Sequence, residues 1–349
     1  MEETTHNRLR EDVPGQHSKA MPPVAADGSF VRHEASHQAM GTIFSIAAYG
    51  SSSVRLQEVV VRAFNEIDRL DNMMSHYKPE SELSTINRQA HLQPVVVAPE
   101  LFSLLQSSLR YSEETGGAFD ITVGPLMKLW GFFHGWGRLP EQSELAQALK
   151  LIGYRHMKLD AVTRSVAFDQ TGIELDLGAI GKGYAVDRVV EILRAEGVAS
   201  ALVSSGTSSI YALGAPPGEL GWEISLCDPL DRRKQARSLR LQNMSISISG
   251  DYEQSFVLEG RLYSHLLDPS SGKPVEKMHM TVVIAASNTA SDALSTAFFA
   301  AGVERSQVYL RHHPDLTVIF YLPDSAHSVE EIVLKSRVNV LPADRIVRI

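Results

Sequence analysis

The fold is decided by the stretch Glu174-Leu175-Asp176-Leu177-Gly178-Ala179-Ile180-Gly181-Lys182-Gly183-Tyr184-Ala185-Val186-Asp187. Its first part alternates polar and apolar residues and then runs into three glycines. An amphipathic pattern follows and continues to Gly197. This order predicts a strand, a tight turn and a helix.

The glycine-rich turn is suited to hold a phosphate group. Glycines allow backbone N–H groups to approach an anion closely, and the N-terminus of the helix adds partial positive charge. Lys182 supplies a full positive charge at the same place. The spacing of Gly178, Gly181 and Gly183 matches neither the dinucleotide-binding fingerprint nor the P-loop. The alternative from these residues alone is a glycine-rich helix start whose lysine faces solvent, since such turns commonly join strands to helices.

The length and charge of the chain limit the classes of protein it can be. Its 349 residues predict about two lobes, at roughly 150 residues per domain. The net charge of −8, without a long run of Lys and Arg, argues against nucleic acid as the partner. A single cysteine, Cys227, excludes an internal disulfide framework and a cysteine-rich metal site. No apolar run approaches the ~20 residues of a membrane-spanning helix, so no transmembrane segment is predicted.

The N-terminal residues 1–37 differ from the rest in composition. They are polar, rich in His, Pro, Glu and Arg, and lack the apolar core of a secretory signal. We therefore predict a disordered leader over 1–37 and a folded domain over 38–349, which begins at the turn Gln38-Ala39-Met40-Gly41-Thr42. As the chain stands, these residues predict a cytoplasmic protein.

Long amphipathic segments and short apolar segments together predict the architecture. Helices are predicted at Val54 to Met74, Pro99 to Thr115, Gln142 to Ile152 and Asn288 to Gly302. Strands are predicted at Ile43 to Tyr49, Ala201 to Ser204, Ser209 to Leu213, Trp222 to Leu226, Met244 to Ile248, Thr281 to Ala286 and Leu316 to Tyr321, with a hairpin around Glu259-Gly260. This density of short strands after long helices predicts an α+β fold, a single compact two-lobed unit with antiparallel sheet and packed helices.

Three polar side chains stand out from their local sequence. Tyr77 is an aromatic residue in a polar loop, where it can cover the edge of a core or contact a ligand. Asp120 is an acid at the mouth of an apolar segment, so it either caps a helix or holds a ligand. His265 ends the second arm of the predicted hairpin. A lone histidine is commonly structural, yet functional sites collect at strand ends.

Asp292 and Thr296 form a pair on the last long predicted helix. They are four residues apart, so both side-chain oxygens lie on one face. A carboxylate and a hydroxyl together suit a hard cation such as Mg²⁺, which takes few protein ligands and completes its shell with water and phosphate oxygens. The alternative is that both side chains are simply solvated on the helix surface.

Together, these segments resemble the ApbE family, the FAD:protein FMN transferases. The resemblance runs from about Met40 to about Gly302 and thus covers most of the chain. The motifs that carry it are Met40-Gly41-Thr42, the Tyr77 segment, Gly117-Ala118-Phe119-Asp120, Asp176-Leu177-Gly178-Ala179-Ile180-Gly181-Lys182-Gly183-Tyr184-Ala185, Ser264-His265-Leu266-Leu267-Asp268-Pro269 and Ser291-Asp292-Ala293-Leu294-Ser295-Thr296-Ala297. Their number and order make the resemblance specific.

The resemblance implies a single-chain enzyme that binds FAD and Mg²⁺ and cleaves the FAD pyrophosphate. FMN is then attached through a phosphoester to a Thr or Ser of an acceptor redox protein, and AMP is released. By position in the motifs, the residues that would line the FAD site are Met40, Tyr77, Ala118, Phe119, Asp120, Asp176, Lys182 and Leu266. The metal would be held by the backbone carbonyl of Ala179 and by Asp292 and Thr296.

The chemistry of such a transfer accounts for each part of this assignment. Cleaving a pyrophosphate requires neutralising charge on both phosphates, which Mg²⁺ and Lys182 could do together. The attacking hydroxyl needs a base, and His265 is the candidate. Alternatively, His265 positions the pyrophosphate as a hydrogen-bond donor. Two other activities stay open at this point: an FAD pyrophosphatase, in which water replaces the acceptor hydroxyl, and an FAD-binding protein without catalysis.

Two features depart from the family pattern. Family members commonly carry a Gly-Gly-Asp-type segment near the strand after the phosphate helix, whereas this chain has Ser204-Ser205-Gly206-Thr207-Ser208-Ser209-Ile210, without the acid. Family members are also typically exported lipoproteins, and this chain shows neither an export signal nor a lipobox cysteine. A periplasmic, inner-membrane-associated location is therefore the alternative to the cytoplasmic one.

Overall fold

The computed structural model describes residues 30–134, 137–325 and 328–335. Its helices are α1 (Ser53–Met74), α2 (Glu82–Gln89), α3 (Pro99–Glu114), α4 (Gly124–Leu129), α5 (Gln142–Ala148), α6 (Gly181–Ala195) and α7 (Asn288–Leu310). Its strands are β1 (Val31–Ala39), β2 (Thr42–Gly50), β3 (Val95–Val96), β4 (Met157–Asp160), β5 (Ser165–Phe168), β6 (Ser200–Ser205), β7 (Ser209–Leu213), β8 (Trp222–Cys227), β9 (Gln235–Leu241), β10 (Met244–Gly250), β11 (Ser255–Leu258), β12 (Arg261–Ser264), β13 (Leu267–Asp268), β14 (Lys273–Pro274), β15 (Met280–Ala285), β16 (Thr317–Ser325) and β17 (Ser328–Lys335). Single turns of 3₁₀-helix lie at Phe132–His134, Leu149–Leu151 and Tyr154–His156.

An eight-stranded antiparallel sheet forms the centre of the fold, in the order β1-β2-β6-β7-β10-β15-β16-β17. Helices α1, α6 and α7 cover one face and bury the larger apolar core. The β8–β9 hairpin covers the other face, where Trp222 and Ile224 share a buried cluster with Ile246. The predicted α+β fold is therefore confirmed. In the described ranges, no helix has the length and apolar character to cross a membrane.

Local sequence explains the long helices. On α1, apolar residues at helical spacing, among them Val59, Ile67 and Leu70, are fully buried. The Ser52 hydroxyl, just before this helix, accepts a hydrogen bond from a backbone N–H of the first turn at 3.3 Å. Helix α7 kinks at Gly302, whose φ of +74° lies in the region that favours glycine. This is the residue at which the sequence predicts the end of the helix.

The stretch before α6 differs from the prediction in one respect. Glu174 forms a single parallel β-bridge with Val123 rather than a regular strand. The following backbone groups bond to another part of the chain, because the Leu175 N–H donates to the Asn87 side-chain oxygen at 2.8 Å. An extended segment held by individual hydrogen bonds therefore leads into the turn, and α6 begins at Gly181.

Helices α6 and α7 cap each other where they cross. The carboxylate of Asp187, on α6, accepts hydrogen bonds from the Ser287 hydroxyl and the Asn288 N–H, both at 2.7 Å, where α7 begins. In the other direction, the carboxylate of Asp292, on α7, accepts the N–H of Gly183 at 2.8 Å. Each helix thus satisfies N–H groups that the other leaves without an intrahelical partner.

The fold begins before the predicted boundary at residue 38. Residues 31–37, expected in the disordered leader, belong to β1, which pairs along its whole length with β2, from Val31 opposite Gly50 to Ala39 opposite Thr42. Side chains of β1 alternate between partly buried and exposed, as on an edge strand with one solvated face, which explains its polar composition. The rest of the predicted leader, residues 1–29, lies outside the described residues.

The crossing of α6 and α7 leaves no room for a side chain at Gly183. A Cβ at this position would lie 2.6 Å from the Cβ of Asp292 and closer still to the carbonyl oxygen of Asn288. The two helices approach this closely only because the residue is glycine.

We predict that Gly183→Ala lowers the free energy of unfolding by about 1–3 kcal/mol, because the two helices would have to move apart. Gly181→Ala, in the same helix turn, is the matched control, since its Cβ would lie at an ordinary 3.8 Å from the Met74 methyl group. Urea unfolding of both variants measures the difference. Equal stability of the two variants would contradict the close crossing.

Candidate functional site

The glycine turn and the first residues of α6 form the centre of the site. The Gly178 N–H donates to the carboxylate of Asp176 at 2.9 Å, which folds the turn back on the preceding segment. The Lys182 ammonium lies 3.3 Å from the carbonyl oxygen of Gly178, so its charge stays over the turn. The N-terminus of α6 and an ammonium group thus lie together, which is an arrangement that attracts anions, while the N–H groups of Gly178 and Gly183 are already bonded to Asp176 and Asp292.

Asp292 lies directly against this turn, although 109 residues separate it from Gly183 in the chain. One oxygen of its carboxylate accepts the Gly183 N–H, and the other accepts the Ser209 hydroxyl at 3.1 Å. The side chain is buried, with the residue 5% exposed. Within the described residues it forms no ion pair with Lys, Arg or His. Buried charges are usually paired or coordinate a metal, so this carboxylate is suited to a cation.

Thr296 is held one turn further along α7. Its hydroxyl lies 3.3 Å from the hydroxyl of Ser249 on β10, which in turn lies 2.8 Å from the hydroxyl of Ser295. The predicted pair of Asp292 and Thr296 therefore sits between the sheet and α6 rather than on a solvated helix surface.

The residues predicted to hold a metal offer only oxygen atoms. A carboxylate, a hydroxyl and the Ala179 carbonyl are the ligand types that Mg²⁺ prefers. In the part of the chain that the structure describes, no group of three or more His, Cys, Asp or Glu side chains could hold a metal. Three or more such side chains therefore do not come together at one point within the described residues. This finding fits a magnesium site with one carboxylate, whose remaining ligands are water and phosphate oxygens.

His265 follows the β11–β12 hairpin and contacts Gln254, the residue just before β11. The ring Nδ1 lies 3.0 Å from the carbonyl oxygen of Gln254, and the His265 backbone N–H donates to the same oxygen at 2.9 Å. A carbonyl oxygen only accepts, so Nδ1 carries the proton and Nε2 of the neutral ring holds the free lone pair. Burial lowers the pKa of His265 to about 4, and the nearby charge of Lys182 acts in the same direction. The two predicted residues thus lie close enough to interact.

A cluster of three aromatic rings lies next to Asp176. The ring of Tyr77, which is 65% exposed, lies 3.8 Å from that of His76, and His76 stacks on Phe133 at 4.1 Å. The Nδ1 atom of His76 lies 3.6 Å from the Asp176 carboxylate, and burial lowers the pKa of His76. These rings line a cleft of about 280 Å³ together with Lys128.

Sequence reasoning missed His76 and Phe133. The His-Tyr pair in a polar loop was a local signal for His76. No local signal exists for Phe133, because it reaches the cleft only through the packing of the segment after α4. A larger cleft of about 470 Å³, around Arg305 and Tyr309 between α3 and α7, contains none of the predicted site residues.

The Asp120 side chain accepts hydrogen bonds from backbone groups of its own domain. Its buried carboxylate accepts the backbone N–H of Thr122 at 2.9 Å and the Tyr154 N–H at 2.7 Å, and burial raises its pKa. Helix α4 begins without a side-chain cap, so Asp120 is not a helix cap. The neighbouring side chains of Ala118 and Phe119 are buried as well. A ligand at this segment would therefore meet mainly its backbone.

The last two predicted residues lie at turns around the site. Met40 and Gly41 form the two-residue turn between β1 and β2, with φ values of +49° and +71°. Leu266 is buried beyond the hairpin, and its carbonyl oxygen accepts the Val275 N–H at 2.9 Å.

The β6–β7 turn lacks the acid of the family pattern, but an acid from another segment contacts it. The carboxylate of Glu253, between β10 and β11, accepts the hydroxyl of Thr207 at 3.3 Å. The same turn lies against the start of β2, because the Gly206 N–H donates to the Ile43 carbonyl at 2.8 Å. Glu253 could not be found from the sequence, since its place depends on how two loops meet.

Comparisons with known proteins agree on one family. The model of the ApbE family matches residues 40–320. The FAD:protein FMN transferase of Treponema pallidum is 31% identical over 320 residues, covering 87% of this chain and 88% of that protein. The FAD:protein FMN transferase of Klebsiella pneumoniae is 34% identical over 288 residues, covering 81% and 87%.

Solved structures give the same result. The ApbE protein of Thermotoga maritima has a TM-score of 0.79 and 29% identity, covering 88% of this chain and 97% of that chain. The flavin transferase ApbE from Vibrio cholerae has a TM-score of 0.77 and 26% identity, covering 88% and 98%.

We predict that the His265 ring in the folded protein stays neutral until the pH falls well below 6.5, toward about 4. The unfolded chain takes up this proton near the ordinary pKa of 6.5, so between these values the unfolded state binds more protons. The stability that His265 contributes is therefore lost as the pH falls through this window. An NMR titration of the ring C–H signals measures the pKa directly.

The variant His265→Asn keeps a donor for the Gln254 carbonyl but cannot titrate. Its free energy of unfolding should therefore depend less on pH across the same window than that of the wild type. A ring that titrates at or above 6.5 would contradict the lowered pKa of His265.

Proposed function

This chain belongs to the ApbE family, and from that premise we infer that it is an FAD:protein FMN transferase. FAD is the flavin donor, and a protein receives the FMN. We propose further that FMN is attached by a phosphoester bond to a Thr or Ser of a redox protein and that AMP is released. The observation that supports this chemistry best is the Asp292 carboxylate, which is buried against the N-terminus of α6 and forms no ion pair with a cationic side chain among the residues that the structure describes.

The proposed site holds FAD with its pyrophosphate at the glycine turn. The residues that line it are Met40, Tyr77, Ala118, Phe119, Asp120, Asp176, Lys182 and Leu266. Tyr77 offers an exposed aromatic face beside the turn, while Ala118, Phe119 and Asp120 offer their backbone because their side chains are engaged in the fold. Lys182 places a positive charge over the turn, where the pyrophosphate carries negative charge.

Asp292, Thr296 and the Ala179 carbonyl would hold a Mg²⁺ ion beside the same pyrophosphate. When bound, this ion supplies charge neutralisation at phosphate oxygens. The protein's part is to hold these oxygen atoms in place. Gly183 and Ser209 do so for the Asp292 carboxylate, and Ser249 does so for the Thr296 hydroxyl.

His265 is the proposed base. Its Nε2 lone pair takes the proton of the acceptor hydroxyl as the hydroxyl oxygen attacks the FMN phosphorus. The bond from that phosphorus to the bridging oxygen breaks, and AMP leaves with the electron pair. Lys182 stabilises the charge that develops on the phosphates. If His265 instead donates a hydrogen bond to the pyrophosphate, its protonated form would be the active one, and the pH dependence would have the opposite sign.

One incubation separates the candidate activities. The protein is mixed with FAD, MgCl₂ and an apo redox protein, and the products are analysed by in-gel flavin fluorescence and chromatography. A fluorescent acceptor band with AMP supports transfer. Free FMN with AMP indicates an FAD pyrophosphatase, and unchanged bound FAD indicates binding alone.

We predict that Asp292→Asn lowers the transfer rate by about two orders of magnitude or more, since it removes the only charged ligand of the proposed metal site. Added Mg²⁺ should restore little of this rate. The fold should survive, because the Asn side chain can still accept from Gly183 and donate to Ser209. Mn²⁺ binding, followed by electron paramagnetic resonance, should weaken in parallel.

The variant Thr296→Ala tests the second side-chain ligand of the proposed metal site. Water can replace a neutral hydroxyl, so its effect on rate and on Mn²⁺ binding should be smaller than that of Asp292→Asn. Full activity of Asp292→Asn in the presence of a chelator would refute the metal site.

A further inference from the structure

The β11–β12 hairpin stands apart from the central sheet. Among the described strands, β11 and β12 pair only with each other. Their two-residue turn, Glu259-Gly260, has φ values of +51° and +76°. The hairpin ends directly at His265, whose N–H extends the ladder by one pair to the Gln254 carbonyl. A peptide segment bound along β12 would therefore lie next to His265, the proposed base.

One face of the hairpin is packed against aromatic side chains. Phe256 and Tyr263 lie opposite each other, and their rings stack at 5.2 Å. They continue to Phe132 and Trp130, with ring centroids 5.6 Å and 5.9 Å away. The His265 ring lies on this same side, 6.4 Å from that of Phe132. This inner face anchors the hairpin and holds the base.

The opposite face is apolar and exposed. Because side chains alternate along a strand, Val257 and Leu262 form the cross-strand pair of the outer face. They are 67% and 46% exposed. Exposed apolar side chains on a hairpin with free edges are an aggregation hazard unless a partner covers them.

The free edge of β12 also offers main-chain hydrogen bonds. The Gln254–His265 pair is hydrogen-bonded, and such pairs alternate with non-bonded ones along an antiparallel ladder. The Val257–Leu262 pair is therefore non-bonded, and the N–H and C=O groups of Leu262 point away from β11. An extended segment beside β12 could pair with them.

We propose that the acceptor protein docks here, adding an extended segment as a third strand along β12. This inference rests on the proposed transfer reaction, in which a protein hydroxyl must reach His265. Strand addition uses main-chain bonds for affinity and alternate side chains for specificity. The Thr or Ser hydroxyl points to the inner face, beside His265. Three residues from it, the acceptor side chain opposite Leu262 points to the outer face and packs against Leu262, so it is apolar.

Charge plays little part in this recognition. Arg261 on the hairpin already pairs with Glu276 and lies over the Tyr263 ring. Glu259 at the turn is exposed, but the outer face of the hairpin is formed by the apolar pair Val257 and Leu262. An acceptor segment with an apolar side chain opposite Leu262 fits this surface, whereas a charged side chain at that position does not.

Two variants test separately the main-chain pairing along β12 and the apolar side-chain contact on the outer face. Leu262→Pro removes the outward N–H and leaves the β11–β12 bonds intact, since Leu262 does not donate within the hairpin. Val257→Lys places a charge on the outer face without touching the backbone. Leu220→Lys is the matched control, because Leu220 is also an exposed apolar residue (72%) but lies between β7 and β8.

The probe is the apo form of a redox protein that the wild type labels with FMN. Initial labelling rates over a range of acceptor concentrations give KM and kcat, and fluorescence titration gives the FAD dissociation constant. Both hairpin variants should raise the acceptor KM by about tenfold or more, while kcat and the FAD dissociation constant change less than about twofold. Leu220→Lys should change none of these quantities.

An unchanged acceptor KM in both hairpin variants would overturn the docking surface while leaving the transfer reaction intact. Weakened FAD binding in both would also overturn it, since the hairpin would then act through the flavin site. A wild type that is a dimer through this hairpin in sedimentation, and becomes monomeric in Val257→Lys, would assign the face to a second copy of the chain. A wild type that labels no protein would refute the transfer reaction itself, and the docking surface with it.

Discussion

The structure depends on the reciprocal capping of α6 and α7. Asp187 of α6 accepts the first donors of α7, and Asp292 of α7 accepts a donor in the first turn of α6. A helix N-terminus carries partial positive charge, so each carboxylate is stabilised by the dipole of the other helix. Gly183 lets the backbones approach closely enough for these bonds. The consequence is that the glycine turn and the acid of the proposed metal site are fixed relative to each other.

A polar layer between β10 and α7 sets the rotation of the second helix. Alternate serines of β10 point toward it, and the hydroxyl of Ser247 lies 2.8 Å from that of Ser291. The next serine along, Ser249, reaches Ser295 and Thr296. Buried hydroxyls are costly unless they are hydrogen-bonded, so these pairs favour one orientation of α7. That orientation presents Asp292 to the first turn of α6 and keeps the Thr296 hydroxyl beside β10.

Much of this arrangement follows from local sequence. Apolar spacing predicted α1, α3, α6 and α7, and the glycines marked the turn, because these signals lie within one element. The predicted disordered leader is wrong over residues 31–37 of β1, since an edge strand with one solvated face resembles an unstructured segment in composition. Asp187 ends the glycine-rich stretch 174–187, but its hydrogen-bond partners lie 100 or more residues away in the chain. The positions of His76 and Glu253 likewise depend on contacts between distant segments, which no local pattern contains.

The central claim is that two helices capping each other build one site for the FAD pyrophosphate and a divalent cation. Anomalous diffraction from crystals grown with FAD and Mn²⁺ tests it most directly. The account predicts one manganese peak about 2–2.6 Å from an Asp292 oxygen, the Thr296 hydroxyl and the Ala179 carbonyl, with phosphate oxygens completing the shell. Well-ordered FAD with its pyrophosphate away from the glycine turn, or a manganese peak elsewhere and none at Asp292, would contradict it.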